Sequence, residues 1–181
     1  LRVGRSVFTV WLLEEMGLEY DLKIYLRDEN GRAQADLREA HPLGRSPVIE
    51  VDGMTIAESG AIAAYLMDRS DPEVKMGPPR SDSKAGVEWL QWLHFPEASA
   101  FGPLMMKLLL TREDPKSAVV KGFSDAEAAL KLGFMEDTLG DREFILGDKF
   151  QAPDVGVTYI ANMAERLGEI GPYPKLEAYR K

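Results

Sequence analysis

His41-Pro42-Leu43-Gly44-Arg45-Ser46-Pro47-Val48-Ile49-Glu50-Val51-Asp52-Gly53-Met54-Thr55-Ile56-Ala57-Glu58-Ser59-Gly60-Ala61-Ile62 is the stretch on which the reading of this chain turns. Two short apolar runs, 47–51 and 54–57, flank Asp52-Gly53. An Asp-Gly link between such runs predicts a β-hairpin, because both turn positions take φ > 0. Pro47 opens the first strand, where a missing N–H costs the ladder least. Beyond Glu58-Ser59, the residues Ala61, Ile62, Tyr65 and Leu66 recur with helical spacing, which puts Ser59 at a helix N-terminus.

These residues carry a binding chemistry. With Ser46–Pro47 in the cis form, Ser46 presents a free N–H and C=O to a peptide-like ligand, in the manner of an added strand. At a helix N-terminus, Ser59 joins orphan N–H groups and a positive dipole end that attract a carboxylate. Glu58 beside it can hold an ammonium group. Together they suit a small extended peptide with an amino-acid head. A plainer role fits the same residues: a turn, a protected edge and a helix cap. The residues alone leave both readings open.

Upstream, residues 7–16 have an amphipathic helical pattern, with Gly17 as its stop. Residues 20–26 alternate apolar and polar side chains, the pattern of a strand with one buried face. A polar loop at 28–31 and a short helix at 33–40 follow. The order is helix, strand, helix, hairpin, helix, and one further strand, expected just before Leu1, completes a βαβ unit. Asp71-Pro72 and Pro78-Pro79 mark residues 70–83 as a linker. Everything beyond is helical in pattern: Val87, Leu90 and Leu93; Phe123, Leu130 and Phe134; and Ile160, Met163, Ala164 and Leu167 at i, i+3, i+4, i+7.

Composition narrows the function. The 181 residues are 45% hydrophobic and 29% charged, a globular chain of one ordinary domain or two small ones. No apolar run approaches the roughly 18 residues that cross a bilayer. A net charge of −8 argues against nucleic acid or an anionic membrane surface as partner. With no cysteine there is no disulfide, no CxxC pair, no thiolate metal site and no protein thiol nucleophile. The two histidines, His41 and His94, give little to a zinc site or a Ser-His-Asp triad, so no metal is expected. G-x-G-x-x-G, G-x-x-x-x-G-K-[ST] and G-x-S-x-G are all missing. Without a signal peptide pattern or cysteine, the expected compartment is the reducing cytoplasm.

The P-L-G-R-S-P-V-I … A-E-S-G-A-I block resembles the N-P-L-G-K-V-P-V-L … E-S-x-A-I segment of cytosolic glutathione transferases, with Pro47 at the cis-proline position. Residues 5–15 resemble the family's first helix. Phe144-Ile145-Leu146-Gly147-Asp148-Lys149-Phe150, leading to Ala152-Pro153-Asp154, resembles the entry to its penultimate long helix. The resemblance implies an α/β plus all-α fold: a thioredoxin-like glutathione-binding domain over 1–69, the linker 70–83, and an all-helical C-terminal domain over 84–181. It also implies binding roles. Ser46, beside Pro47, pairs its backbone with the cysteinyl part of glutathione; Glu58 and Ser59 hold the γ-glutamyl ammonium and carboxylate; Arg45 lies near the glycyl carboxylate.

The chain departs from the family pattern in three places. Gly4 occupies the usual activating-serine position, which leaves Ser6 and Arg5 as the nearest polar groups for catalysis. No tyrosine precedes Tyr20 and there is no cysteine, so the tyrosine and cysteine activators have no counterpart. Gln151 replaces the Ser or Thr helix cap, while Asp154 keeps the N3 position of a capping box, with Phe150 and Val155 as a staple. Losing the serine costs little by acidity alone. Lowering a thiol pKa by ~2 units raises the thiolate fraction roughly 25-fold. A Brønsted slope of ~0.45 takes back about 8-fold in nucleophilicity, for a net gain near 3-fold. Positioning the two reactants is worth far more.

The expected function is nucleophilic attack of the glutathione thiolate on a small hydrophobic electrophile, with a non-catalytic binding or regulatory module of the same fold as the alternative. The electrophile site is expected between the domains, along a helix from Trp89 to Met106, with Trp92, Phe95, Phe101, Met105 and Met106 as its lining. Aromatic and Met side chains at helical spacing equally suit a core. The resemblance further implies a homodimer about a two-fold axis, joining the N-terminal domain of one subunit to the helical domain of the other.

Overall fold

The hairpin forms as the sequence requires. β1 (Val48–Val51) and β2 (Met54–Ala57) pair antiparallel in the register Val48↔Ala57, Ile49↔Ile56, Glu50↔Thr55, Val51↔Met54. The turn residues Asp52 and Gly53 have φ of 49° and 75°, the left-handed pair that an Asp-Gly link supplies. The computed structural model describes residues 4–26, 35–70, 76–78 and 83–181. The chain divides into two units, Leu1–Met76 and Gly77–Lys181.

In the first unit α1 (Ser6–Met16) packs against α3 (Ser59–Ser70), and α3 lies on both strands of the hairpin. Leu12 and Leu13 of α1 and Ile62, Ala63 and Leu66 of α3 are buried. α1 ends at Gly17, whose N–H returns to the Glu14 carbonyl at 3.0 Å. The short helix expected over 33–40 is α2 (Ala35–Ala40), fixed by the buried Leu37; residues 33–34 and the polar loop 28–31 lie outside the described residues.

The strand expected over 20–26 does not form. Its alternation is intact, but Leu22, Ile24 and Leu26 are 48%, 63% and 68% exposed, and the only sheet among the described residues is the two-stranded hairpin. Alternation makes a strand only where a neighbour takes up its backbone N–H and C=O groups. Among the described residues none does. Of the expected linker, 71–75 and 79–82 lie outside the described residues, and the boundary between the units falls at Met76 and Gly77.

The second unit is helical: α4 (Ser83–Phe95), α5 (Phe101–Leu110), α6 (Ala118–Leu139), α7 (Ala152–Arg166) and α8 (Pro174–Tyr179). Its core joins Trp92, Leu104, Leu132, Met135, Leu139, Val157, Ile160, Ala164 and Leu176. α7 sits at the centre, and the stripe read from its sequence faces inward: Ile160 and Ala164 are fully buried, with Met163 and Leu167 packed beside them.

The helix expected from Trp89 to Met106 forms, with a π turn in its middle. Pro96–Ala100 form a π turn between α4 and α5, closed by the Phe101 N–H on the Pro96 carbonyl. Pro96 has no N–H to give the preceding turn, and a π turn absorbs the fault without ending the helix.

Candidate functional site

The hairpin register assembles the sequence-derived block. Because Val48 faces Ala57, the flanking pairs Ser46–Pro47 and Glu58–Ser59 emerge at the same end of the hairpin, opposite the Asp52-Gly53 turn. The Ser46–Pro47 peptide is cis, and Pro47 is buried whereas Arg45 and Ser46 are exposed. No hydrogen bond among the described residues engages the Ser46 backbone.

The approach to this end is tightly built. The Gly44 N–H donates to the His41 carbonyl at 2.8 Å and the His41 N–H to the Leu37 carbonyl at 3.1 Å, which ties the loop to α2. Gly44 has φ of 55°, which favours glycine, and a Cβ there would come within 2.8 Å of Arg38 Cγ, so any larger residue would also have to displace the Arg38 side chain.

Across the hairpin, Glu58 has φ of 70°, a left-handed conformation that is costly for a residue with a Cβ. Its carbonyl accepts the Ile62 N–H at 2.9 Å, opening α3 one residue before Ser59. The Glu58 side chain is exposed, while Ser59, first in α3, is buried. The end of the hairpin thus offers a free strand-like backbone at Ser46, an exposed cation at Arg45, an exposed anion at Glu58 and a helix N-terminus at Ser59.

α1 begins beside Gly4. The Val7 N–H donates to the Gly4 carbonyl at 3.1 Å and the Phe8 N–H to the Arg5 carbonyl at 3.0 Å, so the backbone winds into the helix without a side-chain cap. Arg5 is the N-cap residue and Ser6 the first of the helix; both are half-buried.

The residues expected to line an electrophile pocket divide. Trp92 is 2% exposed and belongs to the helical core. It stacks on Phe134 at 5.2 Å, and Phe95 leans on both rings at 5.1 and 5.3 Å. Phe101 packs near Tyr159 at 6.3 Å. Phe95, Phe101 and Met105 retain partial exposure and Met106 is exposed.

Sequence reasoning missed the strained conformation of Glu58, for which nothing in its residue type gives a signal. It also missed the π turn, for which Pro96 was the signal available. At the start of α7 it expected a weakened capping box. Asp154 Oδ2 accepts the Gln151 N–H at 2.7 Å, whereas Gln151 Oε1 is buried without a partner, so half of the box is made. Among the described residues no cluster of acidic or histidine side chains is placed to hold a metal ion, and no helix is long and apolar enough to cross a membrane.

A fold of this kind, with a cis-proline hairpin leading into a helix that starts at a Glu-Ser pair, followed by a helical unit, defines a class. Residues 2–68 match the family model described as "Glutathione S-transferase, N-terminal domain". Glutathione S-transferase 3 of Schizosaccharomyces pombe is 28% identical over 92% of this chain and 73% of its own length. The crystal structure of a glutathione S-transferase from Actinobacillus pleuropneumoniae is 28% identical and superposes with a TM-score of 0.87, covering 98% of this chain and 81% of that one. A glutathione transferase from Burkholderia graminis, solved with two glutathione molecules bound per subunit, is 25% identical with a TM-score of 0.82, over 99% of this chain and 79% of that one. The first unit matches the glutathione S-transferase N-terminal domain family, and the whole chain is similar in sequence and fold to glutathione transferases, with a thioredoxin-like N-terminal unit and a helical C-terminal one.

Proposed function

We propose that this protein is a glutathione transferase that binds glutathione at Arg45, Ser46, Pro47, Glu58 and Ser59 and directs its thiolate onto a small hydrophobic electrophile. The observation that carries the reading is the register, which sets the free backbone of Ser46 and the Glu58-Ser59 pair at one end of the hairpin. Glutathione has the matching groups in order. Its cysteinyl amide pairs with the Ser46 backbone as an added strand does. Its γ-glutamyl carboxylate meets Ser59 and the α3 N-terminus, its ammonium meets Glu58, and Arg45 answers the glycyl carboxylate.

The thiolate needs a donor, and the start of α1 supplies the candidates: the Ser6 hydroxyl, Arg5, or a backbone N–H. Attack forms the carbon–sulfur bond as the electrophile's leaving group departs with its electron pair. Of the candidate pocket residues, Phe95, Phe101 and Met105 keep surface to offer, and Trp92 backs them from the core. Two glutathione molecules in the Burkholderia graminis relative favour a site that also takes a ligand as large as a second glutathione. The reading includes a homodimer and a cytoplasmic location.

Glutathione-dependent turnover of an aryl halide tests the enzyme reading. The rate should saturate in glutathione, and Ser6→Ala should lower kcat much more than it raises KM, because the contact matters most when charge sits on sulfur. Glutathione binding without turnover of aryl halide, isothiocyanate or peroxide would leave the non-catalytic binding module instead. Unchanged kcat in Ser6→Ala would move the donor role to Arg5 or the backbone.

A further inference from the structure

The turn that delivers Ser46 to the hairpin is held at one residue. His41 donates its N–H to the Leu37 carbonyl at 3.1 Å, which fastens it to the end of α2. Its carbonyl accepts the Gly44 N–H at 2.8 Å and closes the turn His41-Pro42-Leu43-Gly44. Inside that turn the Leu43 N–H donates to His41 Nδ1 at 3.4 Å. A side chain that accepts the N–H two residues on is the arrangement that asparagine and aspartate ordinarily supply. Here an imidazole supplies it. Arg45 and Ser46 follow directly, both exposed, before the buried cis Pro47.

We propose that His41 is a positioning residue for glutathione, whose neutral imidazole sets this turn and whose protonation loosens it. The role rests on the preceding reading that glutathione meets Ser46 and Arg45, and adds a proton-dependent control of that site. An Nδ1 that accepts a hydrogen bond keeps its lone pair, so the ring is neutral with its proton on Nε2. Protonation puts an N–H at Nδ1 opposite the Leu43 N–H, and two donors do not pair. Imidazole is the side chain that ordinarily changes charge between about pH 5 and 8. The amide oxygen of an asparagine keeps its lone pairs throughout that range.

The surroundings give the imidazolium no other hold. The charged residues nearest it in the chain are Arg38 and Glu39 of α2 and Arg45 beyond the turn, and Arg38 lies against Gly44. No ion pair joins His41 to a carboxylate among the described residues. The Leu43 N–H lies at the surface, so water replaces the lost acceptor and the fold persists. What protonation removes is the order of the segment that carries Arg45 and Ser46. A loosened segment must be ordered again at each binding event, which lowers affinity without removing a ligand contact.

Isothermal titration calorimetry of glutathione into the full chain at about pH 7.5 and about pH 5.5, for wild type, His41→Asn and His41→Ala, tests this. Wild-type affinity should fall about threefold or more on acidification. His41→Asn accepts the same N–H at either pH, so it should match wild type at the higher pH and bind more tightly than wild type at the lower. Any titration of glutathione or of the rest of the site appears equally in both proteins, and their difference isolates the imidazole. His41→Ala should bind about threefold more weakly than wild type at the higher pH. An equal pH response in wild type and His41→Asn overturns the role, and so does His41→Ala binding as tightly as wild type at the higher pH. Wild-type affinity that rises on acidification also overturns it, as the mark of direct contact with a glutathione carboxylate. Each of these leaves glutathione binding standing, whereas no binding heat from wild type at either pH overturns both. Where one variant fails to fold, the other decides.

Discussion

Glu58 is where the fold and the proposed ligand make opposite demands. Its left-handed backbone costs an L-residue about 1–2 kcal/mol, whereas glycine adopts it freely at an entropic cost of about 0.5–1 kcal/mol. Glu58→Gly should therefore raise unfolding stability by up to about 1 kcal/mol in denaturant titration. Glutathione affinity should fall by about 1–3 kcal/mol for loss of the ammonium contact. A variant that is less stable, or that binds as tightly as wild type, contradicts the role given to this residue. Its neighbours were legible without coordinates: Pro47 from its place at a strand start, Ser59 from its place before a helical repeat. The conformation of Glu58 was not, because Asn, Asp and Gly announce a left-handed position and glutamate does not.

Elements show the same division between local and distant causes. The hairpin is specified within ten residues by Asp-Gly and its flanking runs, and α7 by its own periodicity, so both could be read directly. The strand over 20–26 depends on a partner strand and misled the reading. What anchors α8 to α7 was invisible, because it spans 25 residues: the Tyr179 hydroxyl donates to Asp154 Oδ1 at 2.5 Å, and the same carboxylate accepts the Ile145 N–H at 2.9 Å. Burial holds the Asp154 carboxyl above the usual range, and these donors pull it back down. A carboxyl raised in the folded state stabilises the fold below its unfolded value near pH ~4 and gives that stability up as pH rises through the folded value. Tyr179→Phe removes a donor that favours the charged form and lifts the carboxyl further. It should cost about 1.5–3 kcal/mol near neutral pH. The decline in stability from about pH 4 to pH 7 should be steeper than in wild type; an equal or shallower decline would refute the coupling. At the other half of the cap, Gln151→Ser should complete the box and add about 0.5–1 kcal/mol, read as a rise of roughly 1–4 °C in Tm.

At the scale of the whole molecule, the division into an α/β unit and a helical unit was legible from the change of period along the chain. The helical stripe of α6 was legible too, but its direction was not. Spacing marked Phe123, Leu130 and Phe134 as helical; the structure leaves Phe123 and Leu130 exposed, stacks Phe134 on Trp92, and fills the core from another face of the same helix. The proposed site draws its residues from a single hairpin and the helix that follows, so the sequence alone could nominate them. To act as a glutathione transferase, the protein must take glutathione at that site. Isothermal titration calorimetry of glutathione into the full-length protein tests this most directly. Saturable heat at millimolar glutathione or below, reduced about tenfold or more in affinity by Glu58→Gly, is the predicted result; no binding heat at millimolar glutathione would contradict it.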